Sequence, residues 1–237
     1  MNKMRKINIF LVINIFLLLV ACSKKEDVLI SGDLVGFIEL IDIDGNVIDD
    51  KSGVTVKIEN TSHSSVTNAD GRYVFSNLSA GTYSFTYSKE GYGEYKGSNY
   101  QYVGGNVPAL LSQTSLYELP DFEVLSVDIT YEDNRIDIRG TIDKASPYYI
   151  RAFIKDSANV SNKNYDWRTS RSVDWPVTDF LIGFWLNDLD YEKGEQVYVI
   201  LYAYNPNEEY SPYHRDFGVS AWSSGVKLTD VISTTIE

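Results

Sequence analysis

Thr67-Asn68-Ala69-Asp70-Gly71-Arg72-Tyr73-Val74-Phe75, continuing through Leu78 to Gly81-Thr82-Tyr83-Ser84-Phe85-Thr86-Tyr87, decides the fold class of this chain. Asp70-Gly71 is a two-residue hairpin signal, because both central positions of a type I′ turn need positive φ, which Gly accepts freely and Asp tolerates. Beyond it Tyr73 and Phe75 alternate with Arg72, Val74 and Ser76, and Tyr83, Phe85 and Tyr87 alternate with Thr82, Ser84 and Thr86. Period two predicts strands with one buried and one wet face, joined by a tight hairpin at Asp70-Gly71.

The same alternation runs outward in both directions. Upstream, Leu34 to Ile41 reads as a first strand, Asp42-Ile43-Asp44-Gly45-Asn46 as a turn, and Val54, Val56 and Ile58 as the apolar face of a second strand. Downstream, a closing strand is expected within Ala109 to Leu119, and Pro120, which cannot donate to a ladder, marks a boundary. Leu125, Val127, Ile129 and Tyr131 then alternate with polar residues up to an Asp133-Asn134 turn, after which Ile136, Ile138 and Ile142 alternate with Arg135, Asp137, Arg139 and Thr141. Tyr148 to Lys155, Phe180 to Leu186 and Val197 to Tyr204 are apolar on both faces, the pattern of strands covered on both sides. The expectation is an all-β chain of two tandem β-sandwich domains, residues 32–119 and 120–231, with a tail at 232–237.

The order of parts in the first domain (a strand, a D-G-N turn, Gly53-Val54-Thr55-Val56, the Thr67 to Phe75 stretch, Leu78, Gly81-Thr82-Tyr83, Lys89-Glu90-Gly91-Tyr92) resembles the carboxypeptidase regulatory-like domain. That resemblance implies a transthyretin-like, seven-stranded sandwich and a non-catalytic module that spaces or presents something else. In the second domain Leu189, Gly194, the alternating Val197, Val199, Leu201, Ala203 and Asn205, and then Ser211 resemble the late strands of a fibronectin type III domain. The tyrosine of that family's corner falls where Val197 stands, so an immunoglobulin-like sandwich is the broader expectation.

The N-terminus carries an address. Lys3, Arg5 and Lys6 precede an apolar run from Ile7 to Val20, and small residues lead to Cys22, the single cysteine of the chain. Leu19-Val20-Ala21-Cys22 resembles the lipobox of bacterial lipoproteins, which implies cleavage after residue 21 and lipidation of Cys22. That accounts for a lone thiol in an exported protein. Ser23-Lys24-Lys25-Glu26-Asp27 resembles a surface-export signal of Gram-negative bacteria, and residues 22–31 read as an acylated, solvated tether. The expected location is the outer membrane, lipid-anchored and facing outward.

Composition excludes several functions. With 237 residues, 43% hydrophobic and a formal charge of -12, the chain has enough apolar matter for a core and no basic cluster for nucleic acid. His63 and His214 are its two histidines, and no nucleophile elbow accompanies either. Asp42-Ile43-Asp44-Gly45-Asn46 is rich in oxygen ligands, but its glycine is fourth and no glutamate closes the loop, so turn chemistry is the better reading than calcium. No metal, cofactor or enzymatic activity is expected.

The candidate ligand-binding residues are Trp167, Arg171 and Trp175, with Tyr210 and Tyr213, all placed in loops of the second domain. Aromatic faces beside polar groups stack on sugars or anchor protein partners; the alternative is that these rings fold back and cap the sandwich. Tyr198, Tyr202 and Tyr204 share a strand face and are expected to be either covered or a platform. The expected function is a non-catalytic surface protein that binds glycan or protein ligands in nutrient capture. Adhesion or assembly is the alternative, and a hydrolase or its accessory domain ranks below both.

Overall fold

In the structure, a computed structural model, Tyr73 and Phe75 face Phe85 and Tyr87 across the gap between two sheets, with ring centroids about 6 Å apart. The structure describes residues 30–186, 191–210 and 225–237; for residues 172–175, 209 and 210 the backbone alone is described. Cys22, the leader and most of the tether lie outside the described residues, as does Tyr213.

The first module packs one four-stranded sheet on another. Strands β1 (Ser31–Ile41), β4 (Arg72–Ser79), β7 (Ala109–Leu110) and β8 (Thr114–Tyr117) form the first sheet. The second, in spatial order, is β3 (Ser64–Val66), β2 (Thr55–Ile58), β5 (Gly81–Ser88) and β6 (Tyr95–Tyr102). β7 and β8 both run parallel to β1 and continue each other along it, so the expected closing strand is present but interrupted at residues 111–113. Leu34, Ile38, Val56, Ile58, Phe85 and Tyr87, all essentially inaccessible, lie at the centre of the core between the sheets.

The Asp70-Gly71 turn differs from the expected hairpin. β3 and β4 belong to different sheets, as do β4 and β5, so both connections carry the chain across the sandwich. Gly71 alone has positive φ (+79°), its N–H donates to Asn68 O at 2.9 Å, and the Asn68 side chain accepts from Arg72 N. This is a turn closed by one left-handed glycine rather than the two positive-φ residues of type I′. Alternation reports which side chains point inward, and the inward aromatics of β4 and β5 meet across the gap instead of side by side. Two close approaches depend on it. A Cβ on Gly36 would stand 2.2 Å from the Tyr73 hydroxyl, and one on Gly71 would stand 2.1 Å from Ile38 O.

The second module is built on one sheet of six strands: β9 (Val124–Glu132), β10 (Arg135–Lys155), β11 (Trp167–Trp185), β12 (Gln196–Tyr204), β13 (Val226–Lys227) and β14 (Ile232–Thr235). β10 is 21 residues long, pairs along its length with β11, and changes its other neighbour from β9 to β12 halfway. Register shifts between Thr141 and Tyr148 mark the bend. Ile136 and Ile138 before it and Ile150, Ala152 and Ile154 after it enter one hydrophobic core, so the sheet encloses its own interior. The residues expected as a tail instead supply β14, paired with β12, and bury Ile236. They complete an edge that Val197 and Val199 need covered.

The described residues from Ser31 onward belong to one compact unit. Its two modules are hydrogen-bonded to each other at Asn205, which is fully buried. Asn205 Nδ2 donates to Asp42 O at 3.0 Å and to Glu118 O at 2.9 Å, while its Oδ1 accepts from Asn207 N and Nδ2, both at 2.9 Å. Asn207 Nδ2 also reaches Ile43 O. The oxygen-rich turn weighed for calcium thus serves as the seat of this joint. The Asp42 carboxylate accepts from the backbone of Asp44 and Asn46 and from the Asn46 side chain, whose hydrogen bonds hold it below the usual carboxylate range. Among the described residues no group of three or more acidic, histidine or cysteine side chains is arranged to hold a metal.

Candidate functional site

Among the described residues, the outer face of β9, β10 and β11 carries a surface site in which charged, polar and apolar side chains converge. In an antiparallel sheet, directly opposed residues share a face. Register therefore lines up three rows: Asp128, Thr130 and Glu132 on β9; Arg139, Asp137 and Arg135 on β10; Leu181, Gly183 and Trp185 on β11. The opposite face of the same strands is the core, with Ile136 and Ile138 against Phe184 and Ile182.

Asp137 organises the middle row. Its Oδ1 accepts from Arg135 Nε and its Oδ2 from Arg139 Nη2, each at 2.7 Å. Both guanidiniums are thereby fixed in direction, and among the described residues Asp137 is the carboxylate that each of them pairs with. Arg135 lies across β11, its guanidinium carbon 5.6 Å from the centre of the Trp185 ring. Gly183 makes that path available, since a Cβ there would stand 2.2 Å from Arg135 Nη2. Trp185 is 53% exposed and Leu181 43%, so a flat ring and an aliphatic side chain stand open beside oriented donors. They line a hollow of about 850 Å³, continuous through Leu181 and Arg139 with a second of about 670 Å³.

The candidate residues chosen from sequence distribute differently. Trp167 opens β11 instead of sitting in a loop, and its ring packs 4.9 Å from Phe184 on the core, which is the capping role. Arg171 is exposed on β11 and lines a third hollow of about 500 Å³ together with Arg135, Leu181 and Gly183. Trp175 also belongs to β11 and Tyr210 to a 3₁₀ turn, Pro206–Tyr210; their side chains, and all of Tyr213, lie outside what is described. Structure thus brings Arg171 toward the platform and removes Trp167 from it. Phe180 to Leu186 was expected to be covered on both faces, yet it is covered on one. The open face holds Leu181 and Trp185, and an apolar side chain left on a wet face was the available signal.

A second cluster is buried. Arg151, 4% exposed, lies between the rings of Tyr149 and Tyr204 at 5.0 and 4.9 Å and donates to Tyr149 Oη at 2.8 Å. Tyr198 and Tyr202 pack half-buried beside Phe153 while Tyr204 is buried, so the tyrosine face of β12 is covered in part. Burial pushes the Tyr204 hydroxyl up to about 12, opposed by Arg151 and assisted by Glu208; burial also takes Tyr95 and Tyr191 to about 12. A phenol with a raised folded pKa binds its proton more tightly in the native state. The stability it gives is therefore complete below the unfolded value near 10 and is lost as pH rises toward 12. Melting temperature should hold steady from about pH 7 to 9 and fall between about 10 and 12, as measured by circular dichroism; a flat profile to pH 12 would show these hydroxyls to be solvated.

Residues 41–111 match the carboxypeptidase regulatory-like domain. The match begins at the last residue of β1 and ends just after β7, so it takes in β2 to β7 of the first module and leaves the rest of β1, β8 and the second module outside it. No curated protein sequence matches the chain. Similar solved structures include an N-terminal interface mutant of a type II cohesin–X-dockerin complex from Acetivibrio cellulolyticus, at 21% identity and TM-score 0.32 over 37% of this chain. The chain spans 58% of the length of that protein. A DUF3823 family protein from Bacteroides ovatus (14% identity, TM-score 0.35) and a protein from Bacteroides uniformis provisionally described as carbohydrate-binding (13%, 0.34) are each matched over 87% of this chain and 100% of their own.

Proposed function

We propose that the protein is a non-catalytic, lipid-anchored surface protein that binds glycans on the outer face of β9, β10 and β11. The carboxypeptidase regulatory-like module spaces the immunoglobulin-like or fibronectin-like second module from an acyl chain on Cys22. The observation that carries the reading is Trp185, exposed at the end of β11 with Arg135 fixed against it. A pyranose has an apolar face that stacks on an indole and hydroxyls that accept from guanidinium N–H groups. Placing the ring on a strand rather than a loop lowers the ordering cost of binding.

The test is a polysaccharide panel assayed by affinity electrophoresis and calorimetry with the full chain in mild detergent. Trp185→Ala should weaken binding about thirtyfold, the scale of a tryptophan hot spot worth about 2 kcal/mol, and should leave the melting temperature within about 2 °C because so much of the ring is already in water. Undiminished binding by this variant would remove the site from the reading. Assembly with a protein partner is the second reading. It is favoured by β11, a 19-residue strand that among the described residues pairs on one side only.

A further inference from the structure

We infer that the glycan taken by this platform is uncharged rather than acidic, an inference that rests on the glycan reading above. The two arginines suggest an anion site at first sight. Their surroundings argue otherwise. Both bind the same carboxylate, and the hollows are lined by Asp128, Glu132, Asp133, Asp137 and Asp179 against Arg135 and Arg139, with Arg171 in the adjoining third hollow, an acidic excess of five to three inside a chain whose formal charge is already -12. A uronate or sulfate ester entering here would meet more like charge than opposite charge, within the distance over which salt does not screen it.

The arrangement of donors and acceptors fits a neutral polyol instead. Among the described residues Asp128 and Glu132 have no ion-pair or hydrogen-bond partner, so the β9 row offers open acceptors. The β10 row offers oriented donors and the β11 row offers apolar surface. A sugar hydroxyl both donates and accepts, and a pair of neighbouring hydroxyls can therefore bridge the acceptor row and the donor row while the ring lies on Trp185. An acidic sugar group only accepts and leaves Asp128 and Glu132 facing an anion.

The full chain in mild detergent, titrated with neutral polymers (a β-glucan, a mannan, an arabinan) and uronate polymers (galacturonan, alginate) at about 20 and about 300 mM salt, tests this. A neutral polymer should bind with a Kd that changes less than about twofold between the two salts, with Trp185→Ala weakening it at least about tenfold and Glu132→Gln weakening it by about three- to tenfold. Uronate polymers should bind at least about tenfold more weakly at low salt. Uronate binding that is the tighter, Trp185-dependent and lost at high salt would overturn the inference and leave the glycan reading standing. Absence of binding to every polymer, or binding indifferent to Trp185→Ala, would overturn both.

Discussion

Phe85→Ala is expected to cost about 3–5 kcal/mol, the range for deleting a buried aromatic ring, and to lower the melting temperature by about 6–20 °C in a protein of this size. Phe85 is wholly inaccessible and has neighbours from both sheets of the first core. Its ring lies 5.9 Å from Phe75 across the gap, 6.3 Å from Tyr87 along its own strand and 6.2 Å from Tyr100 on β6, and it is opposed in register by Ile58 and Gly97. Gly97 offers no side chain that can move into the vacated space, so the cavity stays open and the loss belongs toward the upper part of that range. Phe85→Leu keeps most of the volume and should cost less than half as much. Urea and thermal unfolding of both variants measure this. A Phe85→Ala protein that melts within about 2 °C of wild type would mean that the two sheets do not share this core.

Val54, Val56, Ile58, Tyr73, Phe75, Phe85 and Tyr87 are readable as alternation in the sequence, because burial on one face of a strand imposes period two whatever the strand pairs with; Leu78, three residues after Phe75, and Tyr95 and Tyr102 on β6 break that period and are not. Pairing itself is not readable in this way. Asp70-Gly71 is a real turn, but one chain reversal serves a hairpin and a crossing between sheets equally well. The inward contacts of Tyr73 with Tyr87 and of Phe75 with Phe85 separate the two. The same limit hid the platform. Arg135, Asp137 and Arg139 were legible as a wet face between buried isoleucines, yet their neighbour across the ladder depends on register, which a bend in a 21-residue strand sets nonlocally. Trp185 reads as one more apolar residue in an apolar run until register puts it opposite Arg135. Gly183, which lets the guanidinium cross, is recognisable as functional only when Arg135 is seen above it. Trp167 shows the converse: a tryptophan near polar residues invites a ligand reading, but half-buried against Phe184 it is a lid on the core.

Asn205 bears on whether the platform is held rigidly on the first module. Each hydrogen-bonding position of its amide is used, the two donors by carbonyls of the first module and the acceptor by Asn207. Removing the amide takes one donor from Asp42 O, which keeps Gly45 N at 3.2 Å, and one from Glu118 O, both carbonyls belonging to half-buried residues, at about 1–2 kcal/mol for each. Asn205→Ala is therefore expected to destabilise by about 2–4 kcal/mol. The hydrophobic cores lie on either side of this joint and share no residues, so its loss should also separate their unfolding. Calorimetry should change from one cooperative transition to two, or to one whose van't Hoff enthalpy falls below the calorimetric value. Asn205→Asp distinguishes hydrogen bonding from packing. It preserves size but aims a carboxylate oxygen at two carbonyls, and should destabilise at least as much as alanine. If aspartate is tolerated and alanine is not, the side chain acts by filling space. If both variants melt in a single unshifted transition, the modules are joined elsewhere, and the turn at Asp42 is an ordinary surface turn after all.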